Sequence, residues 1–391
     1  MSEKRLNLIT LQETMDLLEV SRSTLDRWRK HKCMPFIKIG KDIYFHRDEL
    51  QSWVNKHSST TNTSRIESAS APETETVTIG YQSGTAHMWS GVLVKELHYF
   101  EEELKAMEPA RSYSVHWYDA ANGLELVEGL ITSKIQLASL GDYPIMVSHK
   151  ISQLLPNYRP VLLAFDGKTP AGTGISIVVP KDSSIRRPSD LIGQTISTVT
   201  NSSAGCRLNR LLAPLGEQPV RVIHQDMKAS LSSIIQQHVG ASAMWEPYVS
   251  LALQQGARFI KYEDTSSDDY LTGIVTGDQW LQKNESVVTA YLKAHLRAHQ
   301  FARKAPFKAA QIISKATGFP VHVTAHVFTQ VRWDAVVYTR DLRTLNNLGE
   351  TGPQHTLNYR SDILEQAVKK LKLPPLKSGS LDGDWSSIAL Y

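Results

Sequence analysis

The chain predicts a multidomain protein: a small winged helix-turn-helix at the front, then a larger two-lobed α/β body. Three observations carry that prediction. Within residues 7–57, two short one-sided helices separated by a tight turn precede an alternating segment and a further helix. A Ser/Thr-rich stretch nearly free of apolar side chains follows. From residue 77 onward, strand and helix patterns alternate through two successive rounds of similar size.

The composition bounds the classes. At 391 residues, 41% hydrophobic and 21% charged, the chain can bury two or three substantial cores. It has no apolar tract long enough to span a bilayer, so no membrane partner is expected. Basic residues near Met1 have no apolar segment behind them, so a secretory signal is not expected and a cytoplasmic location is. Cys33 and Cys206 fall in different predicted domains, which argues against a disulfide framework or a cysteine-built metal site. The net charge is +4, and residues 1–57 carry 11 Lys+Arg against 8 Asp+Glu. The positive excess therefore sits in the front module, as expected where a protein meets phosphate.

In that module, Leu11 to Val20 places apolar residues at 11, 15 and 18, with Thr10 and Glu13 forming a capping-box pattern. Ser21-Arg-Ser-Thr-Leu-Asp-Arg-Trp-Arg-Lys-His31 is a second helix. Leu25 and Trp28 face its core side, while Arg22, Ser23, Asp26, Arg27 and Lys30 face outward. Pro35 to Phe45 alternates around Gly40-Lys-Asp as a hairpin or wing, and His46 to Val54 closes the unit as a third helix. Ser-x-Ser-Thr-Leu-x-x-Trp, then Pro-x-x-Lys-Ile-Gly-Lys, then Arg-x-Glu-Leu-x-x-Trp resembles the excisionase/MerR-like winged helix-turn-helix across most of residues 7–57. His31-Lys32-Cys33 departs from that family, which often has Gly after the recognition helix. The resemblance implies that the Ser21–His31 helix enters the DNA major groove and that the Lys38–Lys41 wing touches backbone. The expected DNA-binding residues are Arg22, Ser23, Thr24, Arg27, Lys30, Lys38 and Lys41. Arg22 and Arg27 are the preferred base or phosphate contacts, because Arg bonds guanine bidentately. A solvated charged face is the alternative for the exposed Arg and Lys. One such small module buries little DNA, so a homodimer is expected.

Residues 58–76 are expected to be a flexible tether, since they cannot bury enough surface to fold. In the body (residues 77–391), strands are expected at Val77–Tyr81, Ser114–Tyr118, Ile135–Ser139, Ile175–Val179, Thr195–Val199, Val220–Ile223 and Ala241–Met244. Helical patterns lie between them: Met88–Met107, Leu124–Thr132, Ala204–Leu215, Lys228–His238 and Tyr248–Gln255. Mostly helical sequence follows from Gln279. Gly141-Asp142-Tyr143-Pro144, then Val179-Pro-Lys-Asp-Ser-Ser-Ile before Ser189-Asp-Leu-Ile-Gly-Gln, then Asn201-Ser-Ser-Ala204, then Met244-Trp-Glu-Pro-Tyr248 occur in order. Together they resemble the type II periplasmic solute-binding superfamily, in its alkanesulfonate, taurine, nitrate and thiamine-pyrimidine branch, over about residues 77–313. The resemblance implies the two-lobed type II periplasmic-binding-protein fold, with one lobe from about 77–170 plus 265–391 and the other from about 171–264. The cysteine cluster of the thiamine-pyrimidine synthases has no counterpart here.

Ligands of such lobes bind beyond the carboxyl ends of the strands. The expected ligand-binding residues are Ser83, Gly84, Thr85, His87, Asp142, Asn201, Ser202, Ser203, Trp245 and Glu246. Ser202 and Ser203 offer hydroxyls and backbone N–H groups at a helix start, which suits an anion, with plain N-capping as the alternative. Asp142 and Glu246, if aimed into the cleft, suit an ammonium or amide group; capping of the following helices is the alternative. Trp245 either walls the pocket or packs in the core. Arg207 and Arg210 are expected at the surface by default. No nucleophile elbow, P-loop or metal-ligand spacing is present, so no catalytic residue, metal or cofactor is expected. These readings converge on a ligand-responsive, DNA-binding transcriptional regulator that senses a small polar or anionic solute. The alternative is the solute-binding component of an ABC transporter carrying a fused helix-turn-helix. A third class, an enzyme using the same cleft, has no supporting motif.

Overall fold

The structure, a computed structural model, describes residues 8–18, 20–31, 34–39, 42–47, 49–50, 53, 74–216, 219–260, 268–348, 357–376, 385 and 390–391. The front module consists of β1 (Leu8–Thr10), α1 (Leu11–Leu18), α2 (Arg22–His31), β2 (Ile37–Ile39) and β3 (Asp42–His46). The three strands form an antiparallel sheet in the order β1-β3-β2, pairing Ile9 with Phe45 and Ile37 with Tyr44. The capping box at α1 is formed: Glu13 accepts from the Thr10 backbone N–H at 2.8 Å, and the Glu13 N–H donates to Thr10 Oγ1 at 3.1 Å. This reciprocal bonding satisfies two backbone or hydroxyl donors that the helix start would otherwise leave open. Ile9, Leu18, Val20, Leu25, Met34, Phe45 and Leu50 make the module's core, with Trp28 and Trp53 packed at its edge. Arg47, Glu49, Leu50 and Trp53 are helical, where a third helix is expected.

The body starts earlier than its sequence pattern indicates. β4 runs Glu75–Tyr81, and Glu75 and Thr76 pair with Tyr113 and Ser114. These two residues of the expected tether thus belong to a strand, because the neighbouring strand extends far enough to pair them. Residues 58–73 of that tether lie outside the described residues.

The first lobe continues with α3 (Trp89–Glu96), α4 (Tyr99–Met107), β5 (Tyr113–Asp119), α5 (Gly123–Ile131), β6 (Leu137–Gly141), α6 (Asp142–Ser152) and β7 (Pro160–Thr169). The single helical stripe expected from Met88 to Met107 is broken at His98, which adopts φ 54. The second lobe holds β8 (Ile175–Val179), β9 (Thr195–Thr198), α7 (Ser203–Leu212), β10 (Arg221–His224), α8 (Met227–Ile235), β11 (Ala241–Trp245), α9 (Tyr248–Gln254) and β12 (Arg258–Phe259). The chain then returns through β13 (Tyr270–Gly277) to the first lobe. There α10 (Asp278–Lys283), α11 (Glu285–Lys304), α12 (Pro306–Thr317), α13 (Val321–Gln330), β14 (Arg332–Trp333), α14 (Thr339–Leu348) and α15 (Ser361–Lys370) complete it.

The first-lobe sheet has the order β14-β7-β13-β6-β4-β5 and the second-lobe sheet β10-β9-β11-β8-β12. Both are mixed. β4 pairs in parallel with β5 and β6, whereas β13 is antiparallel to β6 and β7. The sequence reading contains neither β7 nor β13. Every residue of β7 is buried, so it lacks the polar alternation that marks a half-exposed strand. The chain crosses between the sheets after β7 and again before β13, and the two lobes meet at those crossings. Gly174 sits at the first crossing with φ +95, and a Cβ there would stand 2.6 Å from His87 Cε1, so only glycine fits.

Candidate functional site

The cleft between the lobes is framed by the carboxyl ends of β4, β6, β9 and β11. Gln82, Thr85, Ser202, Ser203, Trp245 and Tyr270 are among the residues that line it, together with Met88, Gly123, Gly141 and Pro144. The lobes are shut on one another. Trp245 Nε1 donates across the cleft to the Gly84 carbonyl at 2.9 Å, and the Ala86 N–H donates to the Glu246 carbonyl at 2.9 Å. The remaining cavity is about 20 Å³, room for little more than one water.

The residues expected there divide into those that face the cleft and those held by the protein. Thr85, Ser202, Ser203 and Trp245 line the cavity. Ser202 also caps α7: its Oγ donates to the Val199 carbonyl at 2.6 Å and accepts from the Gly205 N–H at 3.1 Å. Capping and cleft lining therefore coexist at this residue. Ser83 turns to Asp119, donating from its N–H at 2.8 Å and from Oγ at 2.6 Å. Gly84 contributes the carbonyl that Trp245 bonds, and a Cβ there would come within 3.1 Å of the Tyr248 hydroxyl.

His87 is fully buried, its Nε2 3.0 Å from Thr169 Oγ1 and its ring 4.3 Å from that of Tyr270. Burial first, then the Arg207 charge, holds its pKa at about 3, so it stays a neutral packing and hydrogen-bonding residue near pH 7. Asn201, at φ 57, lies outside the cleft cavity and borders two outer depressions instead.

The two acids are held by backbone N–H groups, one of the two readings open to them, and not aimed at an ammonium group. Asp142 is fully buried and binds Arg207 through both oxygens, at 3.3 and 2.8 Å, while also accepting from the Tyr143 and Leu271 N–H groups. Its lone pairs are consumed within the protein. Glu246 accepts from the Ser250 N–H at 3.1 Å, the helix-capping alternative, and burial raises its pKa. Arg207, expected at the surface, is buried by the same pairing. Its Nη2 also donates to the Asp269 carbonyl at 2.6 Å, and its guanidinium lies 5.3 Å from the Tyr270 ring centre. Arg210 is partly exposed and paired with Asp268 at 2.6 Å.

With Arg207 committed to Asp142 and the Ser202 hydroxyl spent on Val199, the polar donors left in the lining are neutral: the Gln82 amide, the Thr85 and Ser203 hydroxyls and the N-terminal end of α7. Such a set can hold a sulfonate- or nitrate-like oxygen through neutral donors and the helix dipole. Trp245, Tyr270 and Met88 supply apolar wall. Gln82 and Gly141 lie in the loops 82–87 and 141–142 that the sequence marks as ligand loops, whereas Met88, Gly123, Pro144 and Tyr270 are not among the expected residues. Met88 follows the first of those loops, and Tyr270 enters only through the unrecognised strand β13.

Among the described residues, one group could meet a metal ion's ligand spacing: Asp166, His295 and His299 in the first lobe. Its ring nitrogens are partnered already. His295 contacts Ser90 Oγ at 3.2 Å and the Phe165 carbonyl at 2.8 Å, and His299 contacts the Tyr391 hydroxyl at 2.9 Å and Asp166 at 3.1 Å. The cluster is a buried hydrogen-bond network of the lobe's core.

In the front module, Arg22 is 72% exposed beside Asp26, and Ser23 and Lys38 are exposed. The Thr24 N–H donates to Ser21 Oγ at 3.2 Å, capping α2. Arg27 reaches out of the module to Glu128 of α5, at 3.4 Å. Lys30 is part of α2, and Lys41 lies outside the described residues.

Comparison with known proteins agrees with this division. Residues 8–58 match the family model described as helix-turn-helix domain, and residues 171–309 match the one described as NMT1/THI5 like. The chain is 25% identical over 269 residues to the Escherichia coli (strain K12) "Putative aliphatic sulfonates-binding protein", covering 68% of this chain and 78% of that one. It is 26% identical over 195 residues to the taurine-binding periplasmic protein of the same organism, covering 48% and 57%. The fold is similar to the alkanesulfonate-binding protein SsuA from Xanthomonas axonopodis pv. citri, solved bound to MOPS. There the TM-score is 0.58 at 19% identity, covering 71% of this chain and 92% of that one. The chain joins a helix-turn-helix domain to a body with the α/β fold of periplasmic solute-binding proteins, with an NMT1/THI5-like segment within it.

Proposed function

We propose that this protein is a ligand-responsive DNA-binding transcriptional regulator, cytoplasmic and homodimeric, that senses a small anionic or zwitterionic solute of the sulfonate class. The observation that carries the reading is a two-lobed cleft lined by neutral hydrogen-bond donors at a helix N-terminus, in one chain with a helix-turn-helix. An oxyanion bound there is stabilised by the α7 amides and the Ser203 hydroxyl without a competing carboxylate, because Asp142 is neutralised by Arg207. No enzymatic step is assigned. Arg22, Ser23, Thr24, Arg27, Lys30, Lys38 and Lys41 are the proposed DNA contacts. The names of the relatives favour one second reading, a solute-binding component of a transporter that carries this module.

The test uses the full chain. Taurine, ethanesulfonate and nitrate are screened by thermal shift, since a ligand specific for the folded state raises Tm by mass action. Binding to DNA from the protein's own upstream region is then measured with and without the stabilising compound. A ligand that raises Tm and changes DNA affinity supports the regulator. A ligand that raises Tm with no DNA binding under either condition favours the transport reading.

A further inference from the structure

α2, the helix proposed to read DNA, lies against the body. Glu128 of α5 receives two donors from it: Trp28 Nε1 at 3.2 Å and Arg27 Nη2 at 3.4 Å. Leu154, just past α6, packs on the core of the front module. Between the module and the body is a cavity of about 300 Å³ with walls from three sources. Ser23, Thr24 and Arg27 come from α2, Leu124, Glu128 and Ile131 from the first lobe, and Thr200, Asn201 and His224 from the second. Thus the Ser23, Thr24 and Arg27 edge of the face expected to meet DNA borders the seam between the lobes, while Arg22 stays open to solvent. Asn201 and Thr200 directly precede Ser202, so the same loop borders the ligand cleft on one side and the docked module on the other.

A major groove about 12 Å wide admits this helix only if its outward face is clear. A Glu128 carboxylate beside Arg27 occupies the position that a phosphate or guanine edge would take, and repels phosphate besides. We propose that this contact is autoinhibitory and coupled to the lobes. Closed lobes hold α2 against Glu128 and mask its DNA-reading face, and lobe opening withdraws the Thr200–Asn201 wall and frees it. This inference rests on the proposed DNA-reading function and gives it a direction: the cleft between the shut lobes, about 20 Å³, is too small for a sulfonate, so a ligand there holds the lobes apart and raises DNA affinity.

The cleft itself supplies a lock that needs no ligand. A Cβ on Gly141 of the first lobe would stand 3.9 Å from Ser203 Cβ of the second, within the range of a disulfide. Full-length wild type, Glu128→Gln, Glu365→Gln and the pair Gly141→Cys/Ser203→Cys are titrated onto a fluorescent 40-base-pair duplex of random sequence at fixed low salt. Glu365 is an exposed acid on α15 and controls for the change in net charge. Glu128→Gln is expected to tighten binding about three- to tenfold, the worth of one ordinary net hydrogen bond at this half-exposed contact. Glu365→Gln is expected to change it less than twofold. The oxidised cysteine pair should bind severalfold more weakly than the same protein reduced, and adding Glu128→Gln should erase that difference. Equal binding by Glu128→Gln and Glu365→Gln, or oxidised protein binding as well as reduced, overturns the inference and leaves the DNA-reading function standing. If none of the proteins binds duplex, both fall together.

Discussion

Arg207 of the second lobe and Asp142 of the first form a bidentate ion pair, with Nη2 2.8 Å from Oδ2, across the floor of the interlobe cleft. Both side chains are buried, and Asp142 takes two backbone N–H bonds in addition. Fully bonded, the pair costs little in this site. Broken, it leaves one uncompensated charge at the junction of the lobes.

Arg207→Ala is therefore expected to destabilise the protein by about 3–5 kcal/mol, whereas replacing both partners together by apolar residues should cost less than either single change. Urea denaturation of Arg207→Ala, Asp142→Leu and the double variant checks this. Equal losses for single and double variants would show that the pair does not act as a unit.

Ser202 and Ser203 adjoin in sequence but have different expected roles. Ser202→Ala removes the cap of α7 and should lower stability by about 1 kcal/mol. Ser203→Ala removes a cleft hydroxyl and should weaken binding of the cleft ligand about tenfold, with little change in stability. Calorimetric titration and denaturation of both variants separate the two effects.

Arg27→Ala should weaken binding to a cognate duplex by about tenfold or more, the worth of one good Arg contact. The ligand should still raise Tm, because Arg27 does not line the cleft cavity, with only the reciprocal shift that loss of the Glu128 contact entails. Loss of both responses together would contradict the modular arrangement.

Stability should peak near pH 6.5. Burial depresses His87 to about 3 and His295 to about 4, and pushes His299 well down. As pH falls below the ordinary value of 6.5, the unfolded chain takes up protons that the folded protein refuses, and stability drops. Burial also raises Asp166 to about 8. Between 3.8 and 8 the unfolded chain releases this proton while the folded protein keeps it, so Asp166 alone disfavours folding as pH rises. Three histidines outweigh Asp166 below 6.5, and Asp166 opposes folding above it, at about 1.4 kcal/mol per pH unit. Melting at pH 5, 6.5 and 8 should show the maximum in the middle. Asp166→Asn should flatten the alkaline side.

The sequence by itself determined the modules, their order and the local devices that build them. The Thr10–Glu13 capping box, the α2 cap at Ser21 and the loops carrying Thr85, Ser202, Ser203 and Trp245 are local, set by turn residues and by helix or strand periodicity. Tertiary structure decided which polar groups remain for a ligand. Asp142 and Arg207 lie 65 residues apart and Arg27 and Glu128 lie 101 apart, so no local pattern reveals that the first pair is spent or that the second joins the two domains. The same holds for β7 and β13. Their register comes from each other across more than a hundred residues, and strands buried on both faces carry no alternation for a sequence to display.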